Sequence, residues 1–211
     1  MARRGRPLQT DPSQQLQRVM HLFWRKGYYD TSVADLVAET GISRAAVCEG
    51  YGGKKALFDK SLEFYETEVT SGFLAVIEED AAGLPEIESF FRQFYAFLDQ
   101  PIGHHGCLLC NTSSEVAPDD PVIAARVSRY LSRLRLALSR AAERSRQDFC
   151  DEISVDVFAD YCVGSVLGLM SMARSPVPRS VIRNYLDVIL HSIVVMTRRK
   201  SGSAFSVEVP A

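Results

Sequence analysis

Residues 27–58, GYYDTSVADLVAETGISRAAVCEGYGGKKALF, place two short helices on either side of a glycine and then open a third. Thr31 or Ser32 is positioned to cap the first helix, whose apolar face is Val33, Leu36 and Val37. Gly41 supplies the turn, because a residue without Cβ takes φ > 0 without a steric penalty. Ser43 can cap the second helix, which runs toward Gly50, and Ala45, Ala46 and Val47 keep it slim enough for a major groove. Gly52 and Gly53 end it, and Lys54 stands at the entrance to the next helix, where a cation reaches phosphate. The pattern is that of a helix-turn-helix docking on double-stranded DNA.

The charge distribution agrees. Residues 1–60 hold 10 Lys and Arg against 6 Asp and Glu, and residues 61–211 hold 14 against 20. The resulting +4 and −6 sum to the formal net charge of −2. A basic head on an acidic body suits a DNA-reading domain joined to one that does not touch DNA. With 46% hydrophobic and 24% charged residues the composition is that of an ordinary globular protein. No apolar run approaches the roughly 18 residues of a membrane span, and the N-terminus lacks a signal-peptide core. A cytoplasmic protein with no membrane partner is expected. The five cysteines, odd in number and irregularly spaced, read as reduced thiols rather than a disulfide framework.

Almost every segment carries helical periodicity, so the chain is expected to be all-α with about nine helices. Asp11 or Ser13 starts helix 1, which buries Leu16, Val19, Met20 and Phe23 and ends at Gly27. Helix 4 spans about 54–79 and links head to body. Helix 5 covers about 85–99, with PIGHHG (101–106) as a loop after it. Helix 6 covers about 107–116. Helix 7 (about 121–146) starts on a proline and turns Val127, Tyr130, Leu131, Leu134 and Leu138 inward. Helices 8 and 9 cover about 154–174 and 179–198, separated by Pro176 and Pro178. The expected division is an arm and helix-turn-helix domain at 1–53, a ligand-binding and dimerisation domain at 54–199, and a disordered tail at 200–211.

Phe23 and Gly27–Tyr28 before the helix-turn-helix, and Lys54, Leu57 and Phe58 after it, extend one ordered pattern. Over residues 14–60 it resembles the N-terminal DNA-binding domain of the TetR/AcrR repressor family. The resemblance implies three helices for DNA and six for ligand and dimer. It also implies a homodimer on a palindromic operator, a small-molecule inducer held among helices 4 to 8, and a four-helix dimer seam from helices 8 and 9. Two heads on a palindrome also double the contacts of one short helix. Such a protein is a regulator, most simply a repressor released by its inducer, and not an enzyme.

Arg3, Arg4 and Arg6 form a basic arm suited to the minor groove or to phosphate. Ser43, Arg44, Ala45 and Glu49 lie on the reading helix, with Arg44 suited to bidentate recognition of guanine or a phosphate clamp. Thr31, Ser32 and Lys54 bracket that helix with contacts that position without specifying. Where the family's reading helix usually has a tyrosine followed by histidine or tyrosine, this chain has Cys48, Glu49 and Gly50. Glu49 is repelled by phosphate unless it accepts from a cytosine amino group.

In the body, Phe90, Phe94, Tyr95, Tyr130, Phe158 and Tyr161 are candidate walls for an apolar or aromatic ligand, with Cys107 and Asn111 as polar contacts. Core packing is the simpler role for any one of them. GCLLCN (106–111) places Cys107 at the start of helix 6, where the dipole and a protonated His104 or His105 favour a thiolate. It looks like a GCL motif with which some family members sense oxidants or electrophiles. Cys110 is then a resolving thiol. Plain packing, a metal site from His104, His105, Cys107 and Cys110, and a Cys/His catalytic pair are the competing readings. The spacing matches no standard zinc pattern, no catalytic third partner is readable, and no cofactor motif is present. The corresponding alternatives for the whole protein are a regulator acting through Cys107, or a TetR-like thiol protein that has lost DNA binding.

Overall fold

The computed structural model describes residues 11–150 and 153–197, and every regular element among them is helical. Helix α1, Pro12–Lys26, starts where the Asp11 carboxylate accepts the Ser13 amide at 3.2 Å, and it ends at Gly27. Ser32 opens α2, Val33–Thr40, through a reciprocal cap. Its hydroxyl accepts the Asp35 N–H at 3.1 Å while the Asp35 carboxylate accepts the Ser32 N–H at 2.8 Å. Gly41, at φ +71°, makes the turn. Helix α3 occupies residues 44–50, and the Ser43 hydroxyl caps it by accepting the Ala46 N–H at 3.0 Å.

One helical rod over residues 54–78, α4, follows: Lys54–Tyr65 and Ser71–Glu78 are α-helical, and Glu66–Thr70 between them is π-helical. The body continues with α5 (Leu84–Asp99), α6 (Leu108–Glu115), α7 (Pro121–Arg144), α8 (Val155–Arg174) and α9 (Arg179–Thr197). The expected PIGHHG loop contains a 3₁₀ turn over Pro101–His105. The expected helix boundaries hold to within about two residues, the usual uncertainty of a frayed end.

Val19, Phe23, Leu36, Ile42, Val47, Leu57 and Phe58 form the interior of the head. Phe23 meets Phe58 edge-on at 4.9 Å, so the first turns of α4 complete the head's core. The packing does not break at residue 53. Helix α1 also buries Leu22 and Trp24, beyond the expected stripe, because body as well as head packs on it. Helix α8 has the length and apolarity of a membrane span, contrary to the expectation that no segment approaches one. Phe158, Cys162, Val166 and Leu169 nonetheless face the interior, and Asp156 and Asp160 pair with Arg135 of α7. Its apolarity is that of a helix packed in a bundle.

Candidate nucleic-acid interface and the cavity behind it

The Gly41 turn and the Ser43 cap set α3 on the surface, with Ile42 and Val47 turned inward, each at most 1% exposed. Ser43, Arg44, Ala45, Cys48, Glu49 and Gly50 all face outward. Among the described residues Arg44 makes no ion pair, whereas Arg25 pairs with Glu39, Lys26 with Asp35 and Lys55 with Asp120. A cation without an internal partner on an exposed short helix is what phosphate or guanine recognition requires.

Over Ala46–Gly50 the helix is π-wound, with the Tyr51 N–H reaching back to the Ala46 carbonyl at 2.9 Å. This widening rotates Cys48, Glu49 and Gly50 away from the register of a regular helix, at the same three positions that depart from the family pattern. Tyr51 is partly buried against the head core.

Two of the bracketing residues sit differently from expectation. Thr31 is fully buried and its hydroxyl donates to the Gly27 carbonyl at 2.6 Å, so it closes the α1–α2 turn. Lys54 lies 4.2 Å from the centre of the Tyr28 ring, a cation–π position in which burial lowers its pKa. Ser32 is exposed but holds the α2 cap. Arg3, Arg4 and Arg6 lie outside the described residues, as does the 200–211 tail.

Behind the head, Tyr65, Val69, Thr70, Phe73, Phe90, Phe94, Phe97, Cys107, Tyr130 and Met170 surround a cavity of about 30 Å³, the space of one or two waters. Of the eight candidate ligand contacts, Phe90, Phe94, Cys107 and Tyr130 line this cavity. The other four are elsewhere. Tyr95 points outward and its hydroxyl donates to Asp187 of α9. Phe158 packs edge-on against Phe149 at 4.9 Å, Tyr161 is half-buried on α8, and Asn111 donates to the His105 carbonyl at 2.8 Å. Helical periodicity assigns faces within one helix but not which cavity a face adjoins.

Cys107 is the residue just before α6, and Cys110 lies one turn on; both are buried. A hydrogen bond from the Cys110 thiol is the largest influence on Cys107 and lowers its pKa, to about 6; burial opposes it, and the Tyr65 hydroxyl and the amides of Cys110 and Leu109 assist. The same contact and burial push Cys110 up. The expected contribution of a protonated histidine is corrected: burial lowers His105, and His104 is exposed. Among the described residues no group of three His, Cys, Asp or Glu side chains is arranged to hold a metal ion.

Head and body are joined around this cavity. The Trp24 indole donates to the Gly106 carbonyl at 3.0 Å, Arg174 of α8 donates to the Trp24 carbonyl at 2.8 Å, and the Tyr29 amide donates to the Glu115 carboxylate at 3.0 Å. Gly106 takes φ +63°, and a Cβ there would stand 2.4 Å from the Met170 carbonyl oxygen, so only glycine fits. Trp24 also meets Tyr65 edge-on at 4.8 Å. Sequence reasoning missed Trp24, Tyr65 and Glu115; the one available signal was that Leu22 and Trp24 place apolar side chains off the α1 stripe.

A capped helix-turn-helix whose third helix is exposed, on a body of six further helices, defines the class of DNA-binding regulators. Comparison with known proteins agrees with it. Residues 16–60 match the model for bacterial regulatory proteins of the tetR family, and residues 83–183 match the tetracyclin repressor-like C-terminal domain. The chain is 31% identical over 182 residues to the HTH-type transcriptional repressor ComR of Escherichia coli, covering 81% of this chain and 83% of ComR. It is 25% identical over 190 residues to the uncharacterized HTH-type transcriptional regulator YezE of Bacillus subtilis, covering 88% and 97%. Among solved structures, a cysteine mutant of the TetR family regulator CifR bound to 26-base-pair operator DNA superposes with TM-score 0.75. It has 21% identity and covers 89% of this chain and 99% of that one. A TetR family regulator from Cytophaga hutchinsonii superposes with TM-score 0.73 at 16% identity, covering 88% and 94%. The chain belongs to the TetR family of DNA-binding transcriptional regulators, which are not enzymes.

Proposed function

We propose that the protein is a homodimeric repressor that leaves a palindromic operator when a small molecule occupies the cavity behind its head. The observation that carries this is the pairing of an exposed, capped α3 with a body cavity reached by the same rod, α4. Ser43 and Arg44 supply the DNA contacts, with the N-terminal arginines and Lys54 adding phosphate contacts. A second copy is accommodated on α8–α9, where Val157, Val181, Val188 and Val195 are 45–60% exposed. Four valines turned to solvent along two adjacent helices suit an apolar seam. The cytoplasm, where operator DNA is found, is the matching compartment.

At about 30 Å³ the cavity is too small for a drug-sized molecule. An inducer therefore binds an alternative state in which Phe73, Phe94 and Phe97 have moved apart, and it shifts the population only by preferring that state. Movement there displaces α4 and with it the head. The test is operator binding in the presence of a panel of small apolar compounds, with Phe94→Trp as the control that fills the cavity. Release of wild-type protein, together with weaker release of the variant, supports the proposal. DNA binding that no compound alters in either protein contradicts the inducer role while leaving DNA binding intact. A second reading, regulation through the Cys107 thiol, is favoured by its placement in this cavity beside Cys110, Tyr65 and Tyr130.

A further inference from the structure

We propose that the open cleft between head and body is a second binding site, separate from the inner cavity, for a small neutral polyhydroxylated ring of monosaccharide size. Its effect on DNA rests on the regulator function argued above; the binding itself does not.

The cleft has a volume of about 810 Å³, within the range of about 300–1,000 Å³ usual for small-molecule sites. Helix α6 stands between it and the inner cavity of about 30 Å³: Cys107, just before the helix, lines the inner space, while Asn111, Ser114 and Glu115 line the cleft. Tyr29 and Asp30 supply the head wall, and Arg174 and Ser175 the wall at the end of α8. The walls are joined without a ligand. The Glu115 carboxylate accepts the Tyr29 amide at 3.0 Å and sits so close to Gly27 that a Cβ there would stand 2.7 Å from its Oε1. Arg174 donates to the Trp24 carbonyl at 2.8 Å. A site already held in shape loses little freedom when it is filled.

The direction of the hydrogen bonds in the lining sets what a ligand must bring. Ser113 donates its hydroxyl proton to the Cys110 carbonyl at 2.6 Å, Ser114 to the Asn111 carbonyl at 3.1 Å and Ser175 to the Ser171 carbonyl at 2.8 Å. The Asn111 side-chain amide donates to the His105 carbonyl at 2.8 Å. Each of these side chains keeps an oxygen that accepts, and the carboxylates of Asp30 and Glu115 only accept. A cleft so rich in acceptors calls for a ligand rich in O–H or N–H donors. Charge decides between the two. The lining carries two cations, Lys26 and Arg174, and two carboxylates, Asp30 and Glu115, so its formal charge is zero. Lys26 is held by Asp35 at 3.0 Å, whereas Arg174 has no ion pair among the described residues. An organic cation is therefore opposed by Arg174. A neutral polyol gives its O–H groups to the acceptors and its oxygens to the remaining guanidinium N–H groups.

Tyr29 supplies the apolar part of the fit. It is 56% exposed, yet its hydroxyl donates to Asp119 at 3.4 Å and its ring stands edge-on to Tyr28 at 5.3 Å. A ring so anchored and so exposed is a flat platform whose face carries negative quadrupole charge. The C–H face of a pyranose or cyclitol is attracted to such a platform while its hydroxyls reach the polar groups around it. Tyr29 and Asp30 belong to the head, and Asn111, Glu115 and Arg174 to the body. A ring seated among them braces the head at its present angle, so operator affinity should change when the cleft is filled.

The test is isothermal titration of the full-length protein with D-glucose, D-mannose, D-ribose and myo-inositol, and with putrescine as the cationic alternative. The expected result is saturable binding of at least one of the four polyols, which also raises the melting temperature. Tyr29→Ala and Asp30→Asn, both at exposed positions, should each weaken that binding by about tenfold. Ser114→Trp, which fills the cleft from α6, should abolish it. Circular dichroism of each variant checks that the fold is kept. Absence of saturable binding by every polyol, binding of putrescine alone, or polyol binding that all three folded variants retain overturns the site. If a polyol binds and the variants lose it, but the protein binds no operator with or without it, the site stands and the regulator reading fails.

Discussion

Trp24 on α1 donates its indole N–H to the carbonyl oxygen of Gly106, 3.0 Å away in the interior between head and body. The bond ties a helix of the DNA-reading head to the residue immediately before Cys107. Any movement at the start of α6 is thus felt at α1 without passing through a flexible linker. Trp24→Phe keeps most of the ring packing but leaves a buried carbonyl without its donor, at about 1–3 kcal/mol. Urea denaturation should show that loss of stability, and inducer or oxidant should act less strongly on DNA binding. An unchanged midpoint would mean that the bond contributes nothing net.

On the reading helix, Arg44→Ala should weaken specific binding by about 1–3 kcal/mol if the guanidinium reads a base. Glu49→Gln should do the opposite at all sequences alike if the exposed Glu49 carboxylate lies near phosphate and not at a cytosine amino group. Gel-shift titration of both variants on operator and on unrelated DNA separates the two effects. Equal weakening on both DNAs by Arg44→Ala would make Arg44 a phosphate contact only.

The helix-turn-helix was legible because its determinants are local. Ser32, Gly41 and Ser43 each act on backbone within a few residues, and the structure places those caps and that turn where the pattern requires. The face of α3 followed from the same arithmetic. The cavity was legible only in part, since Phe90 and Phe94 belong to a visible stripe while Tyr65 and Trp24 act through contacts between distant helices. The π-wound stretches at 46–50 and 66–70 left no sequence signal that period counting detects. They shift the register, which is why Cys48–Glu49–Gly50 read as a departure in composition and not in shape.

The α2 cap gives the head a pH dependence. Its backbone and side-chain bonds to Ser32, with Lys26 nearby, hold the Asp35 carboxyl well below the usual carboxylate range. The unfolded chain takes up this proton near pH 3.9, and the folded head only at lower pH. The cap's contribution is therefore complete above that range and falls as pH drops below it. Asp35→Asn should remove this component, so the stability difference between wild type and variant should shrink on acidification from about pH 6 to pH 3. A pH-independent difference would show that the charge of Asp35 is not what holds the cap.

Assembly is tested on α9, where Val188 is 59% exposed. Gly168 of α8 lies against α9, since a Cβ there would stand 3.0 Å from the Tyr185 hydroxyl of the same chain. Its role is packing α8 on α9. Val188→Glu should give a folded monomer in light scattering, with operator affinity lost. An intact dimer in that variant would put the interface on another face.

The central claim is that this chain reads a specific DNA sequence as a dimer. The most direct measurement is selection of bound fragments from random DNA, followed by titration of the enriched sequence over a range of salt concentrations. The account predicts an inverted repeat with half-sites about one helical turn apart. Its affinity should fall steeply with salt, by a log–log slope of about −0.9 for each phosphate neutralised. Selection that enriches no repeat, with equal binding to selected and scrambled DNA at every salt concentration, would contradict it.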